Sequence, residues 1–292
     1  MIKKILLVGG THGNEATGIF LIKKWQQSPH LLQRDGLVID TLLANPAAIA
    51  AGKRYLDKDL NRCFSAAVLN DTSLQGHEID RAHELVNQLG AKGQCHYDLI
   101  IDLHTSTANM GVNLVLTQHD KFHHDMMAYM LEQRDDVVVT SEAEMIPDHH
   151  FLCALAQHNL IVEVGPVAQN LLHHESIEKT EQAVTQLLDF IELYNANSLP
   201  SLSPTIEVFE YTGKVYYPVN EDQDIIGVVH SEIQGQDFSL LNTGGAIFKM
   251  QDGSVITHRD APTYISFVNE AAYYDQRIAF CTLDRRVIQR QS

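Results

Sequence analysis

A histidine and a glutamate three positions apart follow the first apolar segment of the chain. They are His12 and Glu15, in the sequence GGTHGNE at residues 9–15, directly after the apolar run at residues 5–8. The run predicts a short buried strand, and the glycines after it predict a turn. An imidazole nitrogen and a carboxylate oxygen that converge on this turn suit a zinc ion. Two ligands do not form a site, so this interpretation requires a third.

His104 is the candidate third ligand. It follows the apolar run at residues 97–103, which predicts another buried strand. Because the carboxyl ends of strands in an open α/β sheet meet in one crevice, we expect His104 near His12 and Glu15. Asp102 lies on the same face of this strand and could orient the His104 ring. Three protein ligands with a fourth position open are typical of a catalytic zinc site.

Two alternatives to the metal site remain open at this point. The chain contains 16 histidines, and an arbitrary histidine is more often a surface or core residue than a ligand. A glycine-rich phosphate-binding loop is the other alternative for residues 9–18. The glycines of that segment match neither the GxGxxG pattern nor the Walker motif, which argues against this alternative.

Glu163 is the candidate general base. It lies in the apolar run at residues 160–164, just before a Gly-Pro pair. A carboxylate in such a run is costly unless it has a partner or a catalytic task. Beside a zinc ion, that task is to take a proton from water and return it to the leaving nitrogen. A structural ion pair with an arginine is the alternative.

A charged loop at residues 53–62 contains three candidate substrate-binding residues, Arg54, Asn61 and Arg62. An arginine fork binds a carboxylate in two places, and an asparagine amide adds a further donor. A second arginine near the metal could polarise the scissile carbonyl and stabilise the oxyanion. From spacing alone, an ordinary solvated loop is the alternative.

Composition argues against several classes of protein. The 292 residues carry a formal net charge of −16, whereas nucleic-acid binding needs a basic face. No apolar run approaches the roughly 18 residues that span a bilayer. The four cysteines are scattered without a Cys-x-x-Cys pair, so no disulfide framework is predicted and a cytoplasmic location is expected. The expected partner is a small molecule, with neither nucleic acid nor membrane.

Alternating strand and helix patterns up to about residue 195 predict a layered α/β domain with a mostly parallel sheet. Helical spacing indicates helices at residues 15–25, 79–89, 121–134 and 175–194. The Asn-, Ser- and Pro-rich segment 195–204 marks a boundary, beyond which short β-type runs lie between turns. We therefore predict an α/β domain at residues 1–200 and a smaller β-rich domain at residues 201–292.

Five segments together resemble the aspartoacylase and succinylglutamate desuccinylase family. They are GGTHGNE at residues 9–15, DLNR at 59–62, IDLHT at 101–105, VEVGP at 162–166 and VNEAAYY at 268–274. The segments occur in the family's order and cover the chain nearly end to end. The resemblance implies a zinc-carboxypeptidase-like first domain and a β-rich second domain whose loops narrow the mouth of the site. It also implies a homo-oligomer, commonly a dimer.

The resemblance also implies roles for individual residues. One zinc ion per chain is expected at His12, Glu15 and His104, and Glu163 is expected to activate water. Arg54 is expected at the scissile carbonyl. The residues expected around a substrate carboxylate are Asn61, Arg62 and Tyr273. The implied reaction is zinc-dependent hydrolysis of an N-acyl amino acid, with N-acetyl-L-aspartate as the first expectation.

One departure from the family pattern concerns the substrate side chain. Aspartoacylases carry an arginine about ten residues before the strand that bears the base, and that position falls here at Cys153. No arginine occurs between Arg134 and Arg259. His149, near which a family tyrosine aligns, His150 or a lysine could substitute for it. Alternatively, the enzyme prefers N-acetylated aromatic amino acids. A catalytically inactive metal-binding homologue and a carboxypeptidase acting on peptides are the remaining alternatives.

Overall fold

The structure is a computed structural model that describes residues 1–144 and 148–290. Its α-helices are α1 (Ala16–Gln27), α2 (Pro46–Ala51), α3 (Ala66–Leu69), α4 (His77–Leu89), α5 (Lys121–Gln133) and α6 (His174–Asn195). The strands of the first part are β1 (Lys4–Gly9), β2 (Val38–Leu43), β3 (Leu99–Thr105), β4 (Gly111–Leu116), β5 (Val137–Ser141) and β6 (His158–Gly165). The later strands are β7 (Thr205–Tyr216), β8 (Gly227–Val229), β9 (Leu240–Leu241), β10 (Ala246–Met250), β11 (Val255–Thr257), β12 (Thr263–Ser266) and β13 (Ile278–Gln289).

One sheet runs through both halves of the chain. Its ten strands follow the order β2-β1-β3-β6-β4-β5-β7-β13-β12-β9, and β11-β10-β8 form a separate three-stranded sheet. Neighbouring strands from β2 to β7 are parallel, except that β4 is antiparallel to β6. The strands beyond β7 pair antiparallel. The predicted fold class, a mostly parallel layered α/β unit followed by a smaller β-rich part, is confirmed.

Helices cover both faces of the parallel part of the sheet. On one face, α1, α5 and α6 bury residues such as Trp25, Phe122 and Phe190. On the other face, α4 and the 3-10 turn Cys153–Leu155 pack against β1, β3 and β6. Strands covered on both sides read as continuous apolar runs. This explains why β1, β3 and β6 are recognisable in the sequence.

Two segments differ from the expectation. The region between β2 and α4 is not a plain loop, because it contains α2, α3 and the 3-10 turn Leu60–Arg62. The long strand β13 was missed, and it pairs along its length with β7. Its second half carries exposed charged residues on both faces, so it lacks the alternation that identifies a strand.

None of the helices in the described ranges is both long and apolar enough to cross a membrane.

Candidate metal centre and active site

The turn between β1 and α1 presents His12 and Glu15 from a tightly packed backbone. Gly10 adopts a positive φ of 68°, a conformation that glycine reaches without steric cost. At Gly13, a Cβ atom would lie 2.1 Å from the carbonyl carbon of Ala48, so only glycine fits against α2. Because the turn is packed this closely, His12 and Glu15 are held at the carboxyl end of β1.

Three ligand atoms converge at this end of the sheet. His12 Nδ1 lies 2.6 Å from Glu15 Oε1, and His104 Nδ1 lies 2.9 Å from Glu15 Oε2. The two imidazole Nδ1 atoms are 3.1 Å apart. All three side chains are buried, with 3–5% of their surface exposed. Two imidazole nitrogens and a carboxylate that face one point in a buried pocket have the donor set of a zinc site. The residues therefore fit the metal that the sequence predicts.

The outer ring nitrogens of both histidines face carboxylates. His12 Nε2 lies 2.9 Å from Asp59 Oδ1, and His104 Nε2 lies 3.0 Å from Asp102 Oδ2. The Thr11 hydroxyl donates to Asp102 at 2.9 Å. Such contacts fix the tautomer and the orientation of a metal-binding imidazole. The structure thus shows the expected contact between Asp102 and His104. It also shows a contact between Asp59 and His12 that the sequence does not predict, although Asp59 belongs to the DLNR segment.

The charged groups of the cluster strongly shift one another's pKa values. Burial raises the pKa of Glu15, but the neighbouring His12 and His104 overcome this and lower it below its usual range. Burial lowers the pKa of His104, yet Asp102 and Glu15 hold that pKa well above its usual value. The pKa of Asp59 is also lowered well below its ordinary value, against burial, chiefly by His12 and Arg54. Glu15 and Asp59 therefore stay ionised beside the two imidazoles, and a metal ion at this position would take the place of the proton that Asp102 and Glu15 favour on His104.

Glu163 lies beside the metal-ligand cluster on the next strand. In the β3–β6 register, Glu163 is the partner of His104, so both side chains are on one face of the sheet. No described residue makes a hydrogen bond to the Glu163 carboxylate, which lines the same cavity as His12 and His104. Burial, reinforced by the negative charge of Glu15, raises the pKa of Glu163 to about 8. A carboxyl group with such a pKa can exchange a proton at neutral pH.

Arg54 is held next to the cluster by two carboxylates. It donates to Glu15 Oε1 and to Asp59 Oδ2, each at 3.1 Å. The guanidinium has five N–H groups in a planar fork, so further donors remain for a group inside the cavity that Arg54 lines. Burial lowers the pKa of Arg54, but Asp59 and Glu15 raise it above its usual value, which keeps the charge in place.

The loop that carries Arg54 and Asp59 is organised by a buried carboxylate. Glu78, at the start of α4, accepts hydrogen bonds from the backbone N–H groups of Leu56, Asp57 and Lys58 at 2.7, 2.9 and 3.2 Å. It is completely buried. The charged segment is therefore an ordered structure rather than a solvated loop, and it directs Arg54 and Asp59 at the metal cluster.

Arg62 is a cation of the cavity that forms no salt bridge among the described residues, although it lies near enough to Glu142 and Asp59 to affect their pKa values. Its guanidinium carbon lies 5.6 Å from the centre of the Phe151 ring, and one N–H donates to the Asn61 carbonyl at 2.9 Å. The Asn61 side chain is more constrained than the sequence suggests. Its Oδ1 accepts from Leu152 N at 3.0 Å, and its Nδ2 lies 3.2 Å from His104 Nε2. Tyr273, from the second half of the chain, lines the same cavity.

The cavity that joins these groups is small, with a volume of about 50 Å³. Apart from the charged residues, it is lined by Val115, Phe151, Ile161, Tyr211 and Phe267. Apolar walls around a few polar groups are typical of a small-molecule site. Sequence reasoning missed this lining, because apolar residues within strands carry no signal that separates a cavity wall from the core.

Two residues that the sequence places near the side chain of the substrate, His149 and Cys153, do not line the cavity. His149 lines a separate cavity with Lys92 and Gln118, and its ring stacks on Phe151 from outside. Cys153 is completely buried in the core beneath the sheet. The structure therefore does not bring His149 to the substrate site. Glu142 lines the metal cavity itself, and His150 lines, together with Glu142, a chamber that adjoins it.

Glu270 connects the second half of the chain to the strand end that carries His104. One carboxylate oxygen accepts from the Ser106 hydroxyl, from Thr107 N at 2.8 Å and from Ala108 N at 3.2 Å. The other oxygen accepts from Ala272 N at 2.9 Å, at the start of the turn that carries Tyr273. Glu270 is thus positioned to hold Tyr273 and the segment after β3 in one arrangement.

Comparisons with known proteins agree with this geometry. A family model described as the succinylglutamate desuccinylase/aspartoacylase catalytic domain matches residues 1–191, and an AstE/AspA barrel-sandwich hybrid domain matches residues 204–285. A probable aspartoacylase of Nostoc sp. is 40% identical, with alignment over 100% of this chain and 99% of the relative. An N-acyl-aromatic-L-amino acid amidohydrolase (carboxylate-forming) of Rattus norvegicus is 36% identical, over 95% and 89% of the two chains.

Among solved structures, murine aminoacylase 3 superimposes with a TM-score of 0.92 at 33% identity, covering 99% of this chain and 97% of that chain. The family expected from the five sequence segments is therefore confirmed. On these grounds, the chain belongs to the succinylglutamate desuccinylase/aspartoacylase family.

Proposed function

We propose that this protein is a zinc-dependent amidohydrolase that removes the acyl group from N-acyl amino acids. The observation that carries the proposal is the convergence of His12, Glu15 and His104 beside the Glu163 carboxyl in one cavity. Relatives with amidohydrolase and aspartoacylase names support the same reaction class. One zinc ion per chain would be held by the two imidazoles and Glu15.

Zinc bound there would supply Lewis-acid polarisation of the amide carbonyl and would ease the deprotonation of water. The remaining steps belong to side chains of this protein. Glu163 accepts the proton of the attacking water and then delivers it to the leaving nitrogen. Its raised pKa matches both roles at neutral pH. The free N–H groups of Arg54 stabilise the negative charge that develops on the carbonyl oxygen.

The free carboxylate of the substrate is assigned to Arg62. This guanidinium faces the cavity without a salt bridge in the described part of the chain, and an arginine fork binds a carboxylate through two parallel hydrogen bonds. Tyr273 adds a neutral hydroxyl donor, because burial holds its pKa well above the usual value. Asn61 lines the same cavity, and its Nδ2 is a further donor.

N-acetyl-L-aspartate is the first candidate substrate. Support comes from the names of the relatives in Nostoc sp., Trichodesmium erythraeum and Acaryochloris marina, each called a probable aspartoacylase and 35–40% identical to this chain. The family's arginine for the side-chain carboxylate of aspartate is absent here, and Lys214 is the cation that could bind this carboxylate instead. It lines the chamber that adjoins the metal cavity, together with Arg62 and Glu142.

N-acetylated aromatic amino acids are the second candidate. The apolar walls of the cavity favour them, and so does the Glu142 carboxylate, which faces the chamber and would repel an acidic side chain. Burial raises the pKa of Glu142, while Arg62 and Lys214 oppose this.

A substrate panel tests the proposed function. The released amino acid is measured with N-acetyl-L-aspartate, N-acetyl-L-phenylalanine, N-acetyl-L-tyrosine and short peptides. Turnover of at least one N-acetyl amino acid, with none of the peptides, is expected. Zinc binding without any turnover would instead indicate an inactive homologue. If the aspartyl substrate is preferred, Lys214→Gln should lower its kcat/KM about tenfold and leave the phenylalanyl substrate unchanged.

We also propose a homodimer located in the cytoplasm, with no nucleic-acid or membrane partner. The support is the family's habit of oligomerisation, the acidic net charge of −16, and the four cysteines, which are all free in the structure. Light scattering of the purified protein tests the dimer directly, since a mass near 33 kDa rather than twice that value would exclude it.

A further inference from the structure

A second group of potential metal ligands lies away from the active site, where α5 begins and β6 starts. It consists of Asp120, His123 and His158, and one ligand atom from each lies within 4.8 Å of the others. Asp120 caps α5, His123 is in its first turn, and His158 is the first residue of β6. These residues therefore come from two elements that are separate in the chain.

The ring of His123 is oriented as in a metal-binding histidine. Its Nε2 lies 3.1 Å from the carbonyl oxygen of Asn159, and its Nδ1 lies 2.8 Å from Asp120 Oδ1. Asn159 N also lies 3.4 Å from Nε2, so two tautomers fit these contacts: in one, Nδ1–H donates to Asp120, and in the other, Nε2–H donates to the Asn159 carbonyl and the Nδ1 lone pair is free for a metal. In that case the lone pair of Nδ1 faces the lone pairs of Asp120 Oδ1, and a cation bound to both atoms would remove the repulsion between them. The ring is completely buried.

His158 contributes an unsatisfied nitrogen. Its Nδ1 is buried and has no hydrogen-bond partner among the described residues. Its ring lies 5.6 Å from the ring of His123, measured between centroids. A buried polar atom without a partner is rare in native proteins and indicates a missing partner such as an ion or a water molecule.

Gln118 is the other polar group at this point. Its Nε2 donates to the Gln157 carbonyl at 2.8 Å, and it approaches Asp120 Oδ2 at 3.4 Å and His123 Nδ1 at 3.5 Å. In the tautomer that carries the proton on Nε2, the long distance to Gln118 leaves His123 Nδ1 without a good donor. The amide therefore does not replace a cation between Asp120 and His123.

We propose that Asp120, His123 and His158 form a second, peripheral binding site for a divalent transition-metal ion of the zinc type. Two imidazole nitrogens and one carboxylate oxygen suit such an ion, with water completing the coordination. The ion connects the first turn of α5 to the start of β6, five residues before Glu163 on the same strand. Its role is to hold these two elements together rather than to act on substrate.

The alternative explanation is that Asp120 serves only as a helix cap. Its Oδ1 does accept a hydrogen bond from His123 N at 2.9 Å, and aspartate is a favoured residue at that position. The two explanations differ in one substitution. Asp120→Ser keeps a capping oxygen but removes the carboxylate, so it preserves the helix and deletes a metal ligand.

The test is metal stoichiometry on the tag-free protein. After equilibration with micromolar zinc and removal of free metal, we expect two zinc ions per chain in the wild type. We expect one in Asp120→Ser and one in His158→Asn. His12→Ala should also bind one, held at the peripheral site. His174→Ala, an exposed histidine elsewhere, is the matched control and should bind two.

Cobalt and thermal unfolding give independent readouts. Cobalt titration of His12→Ala should show a visible d–d absorption that disappears in His12→Ala combined with Asp120→Ser. In chelator, Asp120→Ser should unfold at the wild-type temperature, whereas added zinc should stabilise the wild type more than Asp120→Ser, which keeps only the ion of the active site. A single zinc ion in the wild type, or a second ion that persists in Asp120→Ser and His158→Asn, would overturn the proposal.

Discussion

At the scale of single residues, Glu163 is the side chain whose environment departs most from that of an ordinary glutamate. It is in register with a metal-ligand candidate, it receives no hydrogen bond from a described residue, and its pKa is raised to about 8. A structural carboxylate in this position would have a pairing cation. The absence of such a contact in the described part of the chain is the reason to assign it proton transfer.

Replacement of Glu163 by glutamine tests this assignment. Glu163→Gln keeps the size of the side chain but cannot accept a proton, so kcat should fall by roughly 10²–10⁴-fold. Because the substitution spares His12, Glu15 and His104, zinc content should remain at the wild-type level. Initial rates and metal analysis on the same preparation are the measurements. Near-normal turnover in a zinc-loaded variant would remove Glu163 from the mechanism.

The pH dependence of kcat/KM provides a second test at this scale. Glu163 acts as a base only when it is ionised, so activity is lost as the pH falls through its pKa. That pKa is about 8 for the protein residues alone, and a cation nearby favours the carboxylate and lowers it. The acidic limb should therefore have its midpoint between the ordinary glutamate value and about 8. If the residual activity of Glu163→Gln showed the same acidic limb in its pH profile, that limb would belong to a group other than Glu163.

At the scale of elements, the connection made by Glu270 determines whether the two halves of the site stay aligned. Glu270→Gln removes the charge and replaces one of the two acceptor oxygens by an NH₂ donor, so the hydrogen bonds at one end of the side chain are lost, and a buried donor left unsatisfied costs about 1–3 kcal/mol. We expect a lower melting temperature together with a lower kcat/KM, since the segments of Ser106 and Tyr273 lose their common partner.

Glu207→Gln is the matched control for this prediction. Glu207 pairs with Arg285 at the surface of the β-rich part, and exposed ion pairs contribute about 0–1 kcal/mol. Thermal unfolding and steady-state kinetics on the two variants make the comparison. Equal, small effects of both substitutions would show that Glu270 is no more than another surface carboxylate.

The elements also explain which parts of the structure could be predicted from the sequence. Strands β1, β3 and β6 are covered on both faces, so their apolar runs identified the strand ends where His12, His104 and Glu163 lie. Asp59 was not assigned a role because its contact with His12 spans 47 residues of chain. A pattern of neighbouring residues contains no information about such a contact.

His149 lies outside the cavity for a related reason. The number of residues before the strand that bears Glu163 identifies the segment at residues 149–153, but it does not predict the direction in which the side chains of that segment point. The 3-10 turn Cys153–Leu155 directs Cys153 into the core, and His149 lies on the outer side of Phe151. The domain boundary predicted at residue 200 stays a prediction, because strands from both sides of it share the ten-stranded sheet.

At the scale of the whole molecule, the active site is built from both halves of the chain. The first half provides the metal ligands, Arg54, Arg62 and Glu163, and the second half provides Tyr211, Phe267 and Tyr273. The second half forms part of the cavity wall and contributes two tyrosines to it. This arrangement agrees with an enzyme for small N-acyl amino acids, because a long peptide would have to pass these residues.

The most direct test of the account is the removal and return of zinc during turnover of N-acetyl amino acids. Treatment with a chelator should abolish release of the amino acid from N-acetyl-L-aspartate or N-acetyl-L-phenylalanine. Activity should then return in proportion to the zinc bound at His12, Glu15 and His104. Asp120→Ser should regain its activity in the same way once one zinc ion is bound per chain. Turnover that persists in the metal-free protein, or a zinc-loaded protein that releases no amino acid from any N-acyl substrate, would contradict the account.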